Sequence, residues 1–317
     1  MFRGQREKMI RETRRMGKVA YSVMARACNR IVIGKTYWKS VVLPATLYGG
    51  NIVSWNEGEI GQLQVAENEV LRKMVGAPGY VALAGVRGEI GIGTMKGRLV
   101  RSRLQYVRNM VQGEKRLLGR LWEEIRLIGR GKILESTRRY CNWAGIQEEE
   151  LGIITKVELD NRIALVQDRL WREELGNKTT LQLYREWKTE MRQEDCYDGR
   201  LDSIIWFRAR TNCLTLGDRN RHLGKDSDCF MCRKGMEDLR HFILDCNKLE
   251  GLRLGMIGLQ RPRLEDWREV VGRFLFGDNI MMNRRDLWRL WREREKLKEI
   301  EESEIKNKEK EKVIVMT

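Results

Sequence analysis

A mainly α-helical fold carrying one small metal-organised element is predicted for this chain by three observations. Apolar residues recur at three- and four-residue steps through most of its length. Only 3 prolines interrupt 317 residues rich in Leu, Arg, Glu and Lys. Three cysteines and a histidine gather near the C-terminus as Cys229, Cys232, His241 and Cys246.

Taken in order, residues 5–35 read as helical, with Ile10, Val19, Val23 and Ala27 among dense Arg and Lys. The apolar run from Val41 to Tyr48 is closed by Gly49 and Gly50. Ile60, Leu63, Ala66, Val70 and Met74 space a further helix, which Gly76-Ala77-Pro78-Gly79 stops. Over 96–112, Val100, Leu104, Val107 and Val111 face inward while Arg98, Arg101 and Arg108 share another face. Helices joined by turns make 1–145 a small helical bundle. Glu148-Glu149-Glu150 marks a boundary, and 146–228 reads as a helical connector. Two stripes run through it, Leu159, Ile163, Val166, Leu170 and then Leu181, Tyr184, Trp187, Met191. Residues 229–250 form the Cys/His knuckle. A short helical region over 251–291 follows, with Trp267, Val270, Val271 and Phe274 on one face, and then a charged tail helix over 292–317. From Arg292 to Lys312 that tail carries 8 basic and 8 acidic residues, a pattern of solvent-exposed charge pairs that fray toward Thr317.

The cluster reads C-x2-C-x8-H-x4-C. Three thiolates and one imidazole are the ligand set of a closed tetrahedral zinc site, and a two-residue gap lets both sulfurs of a tight turn face one ion. Arg233-Lys234-Gly235 supplies that turn, and Leu239, Phe242 and Ile243 form an apolar stripe on the helix carrying His241. His222, the other histidine, lies outside the compact spacing. A redox role for Cys229 and Cys232 lacks the βαβ surroundings that such chemistry uses. With four protein ligands there is no coordination position for a catalytic water, so a single structural Zn2+ is expected.

Net charge is +16, and it is unevenly laid down. Residues 1–41 and 91–141 each carry +9 and 206–263 carry +5, whereas 42–90 and 142–205 are net acidic. Three basic blocks can converge on a polyanion, or can be solvated helix faces. Arg208 and Arg210 beside Trp206 and Phe207 present a similar choice between base stacking with phosphate contact and a buried aromatic pair. No run approaches the roughly 20 apolar residues of a membrane span, and the first residues lack a secretory core. Cys28, Cys141, Cys196 and Cys213 follow no disulfide framework. An intracellular protein, nuclear or cytoplasmic, is expected.

Motifs for catalysis are missing. No Asp-Asp pair is present to hold two magnesium ions, and neither a phosphate-cradling loop nor a nucleophile elbow occurs. Gly88, Gly91 and Gly93 reverse the spacing of a dinucleotide loop. A non-enzymatic role is expected.

Leu43-Pro44-Ala45-Thr46-Leu47-Tyr48-Gly49, then Trp55, Leu63, Leu71-Arg72 and Gly76, then Glu89-Ile90-Gly91 and Arg98, resemble the segment after the palm in LINE-type non-LTR retrotransposon reverse transcriptases. The downstream order is similar too: a helical stretch, Trp206-Phe207-Arg208 with Arg210 and Leu216, and then the Cys/His cluster. This resemblance spans roughly 20–275. It implies a thumb and connecting helices followed by a CCHC zinc knuckle that binds RNA or DNA, in the C-terminal part of such an enzyme. The catalytic Phe/Tyr-x-Asp-Asp signature and a Pro-Asp nuclease signature after Cys246 are both absent from this sequence. The expected activity is nucleic-acid binding without polymerisation, with a zinc-containing protein-interaction module or a functionless relic as the alternatives. Arg98, Arg101 and Arg108 are the expected phosphate contacts on the thumb, and Arg208, Arg210, Arg233 and Lys234 those near the knuckle. Template RNA, an RNA–DNA hybrid or target DNA is the expected partner, and no membrane is.

Overall fold

The computed structural model describes residues 3–113, 116–224, 226–259 and 266–315. Among them the chain is mainly helical and forms no strand; one antiparallel bridge pairs Asp228 with Met236. The chain divides into two compact units, Met1–Lys178 with Glu190–Glu194, and Thr179–Thr189 with Asp195–Thr317.

In the first unit, α1 (Arg3–Ala25) and α2 (Arg30–Tyr37) replace the single helix expected over 5–35. The break has a local cause. Asn29 is extended, and its side chain accepts from the Ile31 and Val32 N–H groups, starting a new helix. A π turn over Trp38–Val42 leads into α3 (Leu43–Leu47). α4 (Glu57–Met74) begins on a reciprocal capping box between Asn56 and Glu59 and packs along α1. Ile60, Leu63, Ala66, Val70 and Met74 are all buried, as their spacing predicts.

α5 (Leu83–Ile90) ends on Gly91, whose φ of +66° is the left-handed C-cap. A Cβ there would also lie 2.7 Å from the Gln193 nitrogen, so the glycine spacing that imitates a nucleotide loop is a packing requirement. α6 (Met95–Gln112), α7 (Arg116–Ile128), α8 (Lys132–Ala144) and α9 (Lys156–Gly176) share one core. Val100, Leu104 and Val107 of α6 meet Trp122 of α7, Leu134 and Tyr140 of α8, and Leu159 and Ile163 of α9. Because α9 completes this core, the first unit runs on to Lys178, past the boundary expected at 145. Val111, expected to face inward, is 39% exposed.

The second unit opens with α10 (Gln182–Trp187), which stops before Met191. After the 190–194 segment returns to the first unit, α11 (Leu201–Arg210) places Trp206 and Phe207 in full burial, with the Trp206 ring 6.1 Å from Phe274. This resolves the choice left open for that aromatic pair: both are core, and neither is available to a base. α12 (Glu250–Arg253), α13 (Trp267–Phe276) and α14 (Ile280–Val315) complete the unit. α14 is one helix of 36 residues, so the short helical region and the charged tail are continuous, and 292–301 is not merely a solvated tail. Leu287, Leu290, Trp291 and Arg294 of this helix are buried.

Candidate metal centre

Backbone hydrogen bonds give the knuckle its shape. The Cys229 N–H bonds the Gly235 carbonyl at 2.7 Å, and the Arg233 N–H bonds the Cys229 carbonyl at 2.8 Å. That fold-back requires positive φ at Arg233 (55°) and Gly235 (134°). It is the turn that Arg233-Lys234-Gly235 suggested in the sequence, and it aims the sulfurs of Cys229 and Cys232 inward.

His241 and Cys246 come from a different device. In an α-helix, residues five apart point about 140° away from each other at 3.6 residues per turn. Here the Cys246 N–H bonds the His241 carbonyl at 2.8 Å, closing a π turn over His241–Asp245. The wider turn brings positions five apart to one side, which is what a shared ion needs. Asp238 starts the turn, its carboxylate accepting from the His241 N–H at 2.7 Å.

One ligand atom from each of Cys229, Cys232, His241 and Cys246 lies within 4.8 Å of all the others. The Cys229 and Cys246 sulfurs are 3.9 Å apart, and the Cys232 sulfur is 3.2 Å from His241 Nε2. Metal–sulfur bonds of about 2.3 Å at a tetrahedral angle set neighbouring sulfurs about 3.8 Å apart, so the first pair already has ligand spacing. Cys229 and Cys246 are buried. The hydrogen bond to Cys246, and then burial, push the Cys229 thiol up, while the same contact holds Cys246 below the ordinary thiol value. The four side chains can hold one metal ion. Four protein ligands would complete the coordination of a tetrahedral ion, which suits a structural role.

α14 braces this centre from behind. Arg294 Nε and Nη2 grip the Glu237 carboxylate at 2.7 and 2.8 Å, with side-chain exposures of 5% and 2%. Glu237 also accepts from the Gly217 N–H at 2.8 Å. The same guanidinium lies 5.2 Å from the ring of Phe230, inside the Cys-Phe-Met-Cys turn, and 5.0 Å from Trp291. Trp291 in turn meets Phe242 edge-on at 5.9 Å.

No family model, curated protein or solved structure matches the chain.

The seven basic residues expected to contact phosphate have varied surroundings. Arg98 donates to Glu67 at 2.5 Å and to the Gly93 carbonyl at 3.0 Å; Glu67 is fully buried and also accepts from Trp38 Nε1 at 2.9 Å. Arg108 bonds the Ile154 carbonyl at 2.7 Å, and Arg101 pairs with Asp160 at 3.0 Å, so both fasten α6 to the chain around α9. Arg210 is buried, its guanidinium 4.3 Å from the Phe276 ring, and Arg208 is half-buried on α11. A buried charge is costly without a partner, so this chain commits Arg98 and Arg210 to its own interior. Arg233 is exposed and bonds Glu301, and Lys234 is exposed at the tip of the turn.

Glu237, Asp238 and Arg294 escaped the sequence reading. An aspartate three residues before His241 is a readable cap signal. The Glu237–Arg294 pairing spans 57 positions and leaves no local signature. The side chain of His222 lies outside the described residues.

Replacing Arg98 by alanine is expected to destabilise the first unit by about 3–5 kcal/mol, because it strands the Glu67 carboxylate in the core. Urea unfolding measures this, and Glu67→Gln in the same background should recover part of the loss. A change below about 1 kcal/mol would show that Glu67 does not depend on Arg98.

Proposed function

We propose that this chain is a nucleic-acid-binding protein whose second unit is held together by one structural zinc ion, corresponding to the C-terminal thumb and knuckle region of a LINE-type reverse transcriptase. The observation that carries the reading is the closed Cys3His cluster following a helical bundle, in the order that the sequence resemblance implies. The donor set argues for zinc. Soft thiolates with one imidazole, four-coordinate and without an open position, suit a structural zinc site better than an oxygen-seeking cation. Lys234, exposed on the knuckle turn, and a net charge of +16 supply the attraction to phosphate. Polymerisation is not part of the proposal, since the sequence holds no Asp-Asp pair for the metal chemistry. Among the described residues, no helix is long and apolar enough to cross a membrane.

The test is titration of the zinc-loaded protein against a labelled RNA–DNA hybrid and against single-stranded RNA across a salt series. Affinity is expected to fall steeply and linearly on a log–log plot as salt rises. Absence of binding at low salt would overturn the reading. It would favour protein docking instead, for which the outer face of α7 offers Leu117 and Leu121 at 78% and 50% exposure.

A further inference from the structure

A strongly basic concavity is formed by residues that the sequence alone does not single out as a site. A groove of about 910 Å³ runs between α1 and α4 in the first unit, lined by five cationic side chains against two carboxylates. Arg11, Arg14, Arg15 and Lys18 are exposed along one wall. Their i, i+3, i+4, i+7 spacing sets the charges on one helix face. Gln62 stands opposite, 3.4 Å from Arg14. Glu59, one of the two carboxylates, is already neutralised by Arg6 at 2.7 Å. Arg15 pairs with Glu12 at the surface, whereas Arg11 and Lys18 have no ion-pair partner among the described residues.

We infer that this groove is a binding site for the sugar-phosphate backbone of a nucleic-acid duplex. The inference rests on the proposed nucleic-acid binding and assigns it a place. Concentrated positive charge with amide groups opposite suits phosphate oxygens, which most protein–nucleic acid hydrogen bonds address. Among the described residues no aromatic side chain lines the groove, so they offer no platform for unstacked bases and favour a duplex over a single strand. A membrane surface fits less well. An interfacial helix needs its apolar face free, and the apolar side of α1, with Met9, Ile10, Ala20 and Met24, is buried in the fold.

The experiment compares the full chain with an Arg11→Gln, Arg14→Gln, Lys18→Gln variant and with a control of equal charge loss, Arg130→Gln, Arg169→Gln, Lys178→Gln. All six positions are exposed, so both variants are expected to keep the wild-type melting curve. Affinity for a labelled RNA–DNA hybrid is read between 50 and 200 mM salt. Each lost phosphate contact lowers the log–log slope by about 0.9, so three contacts make wild-type affinity fall roughly 40-fold more than that of the groove variant over this range. The control should keep the wild-type slope. Equal slopes in the wild type and the groove variant, or equal losses in both variants, would overturn the groove while leaving nucleic-acid binding intact. A wild type that binds no hybrid overturns the reading beneath it as well, and binding only to phosphatidylserine vesicles would reassign the basic stripe to a membrane.

Discussion

Changing Cys229 and Cys232 together to serine is expected to abolish metal binding and to unfold the 226–250 region. Elemental analysis of the wild type should give one zinc per chain, and the double variant none. The size of the effect follows from how little regular secondary structure this stretch holds. It contains one bridge, one π turn, one short 3-10 turn and a fold-back through two residues of positive φ, so few main-chain bonds oppose its release. Structural zinc contributes about 10–16 kcal/mol of apparent binding energy in small finger peptides, and much of that is expected to act here as folding energy. Limited proteolysis should therefore cut the variant between 226 and 250 while the wild type resists. Cys28→Ser, at an exposed cysteine away from the cluster, should leave both readouts unchanged. Because thiolates and neutral imidazole are the binding forms, zinc should leave the wild type as the solution is acidified. Stoichiometric zinc in the double variant would show that the ligand set is misassigned. Loss of zinc with unchanged protease resistance would show that the ion does not hold the fold.

Replacement of Arg294 by methionine is expected to cost the second unit about 3–5 kcal/mol. The change leaves the Glu237 carboxylate at 2% exposure with only the Gly217 N–H among its present donors. It also removes the cation stacked on Phe230, so the Cys229–Cys232 turn loses a support. Chemical denaturation and zinc competition should both register the loss. Pairing Arg294→Met with Glu237→Leu should recover much of the stability, since two apolar groups cost less than one stranded charge. If the double variant is no more stable than Arg294→Met alone, the carboxylate is not the source of the cost.

These two results bear on what the sequence could reveal. The metal ligands were legible because their geometry is local: a two-residue gap and a glycine turn for one pair, a five-residue step for the other. The inward faces of α4 and of most of α6 were legible for the same reason, since period alone places Leu63, Val70, Leu104 and Val107. The fates of the arginines were not. Arg98 finds Glu67 across 31 positions, Arg108 finds the Ile154 carbonyl across 46, and Arg294 finds Glu237 across 57. An arginine stripe on a helix looks identical in sequence whether its partner is a phosphate or a distant part of the same chain. The groove cations of α1 were visible as charge but not as a site, because the opposite wall is supplied by α4. The continuous α14 was also hidden, since alternating charge reads as solvated until a tertiary partner buries one of its members.

The route of the backbone between the two units has a practical meaning for anyone who would divide this protein. The chain leaves the first unit after Lys178, comes back for Glu190–Glu194 and departs again at Asp195. The returning strip is not ornamental: Gln193 accepts from Lys35 Nζ at 2.7 Å, and its main chain closes over Gly91. A single scission anywhere in the sequence therefore leaves at least one unit missing a piece of itself. The two units are interlaced along the thread, so any continuous stretch that holds the whole of one unit also carries a piece of the other.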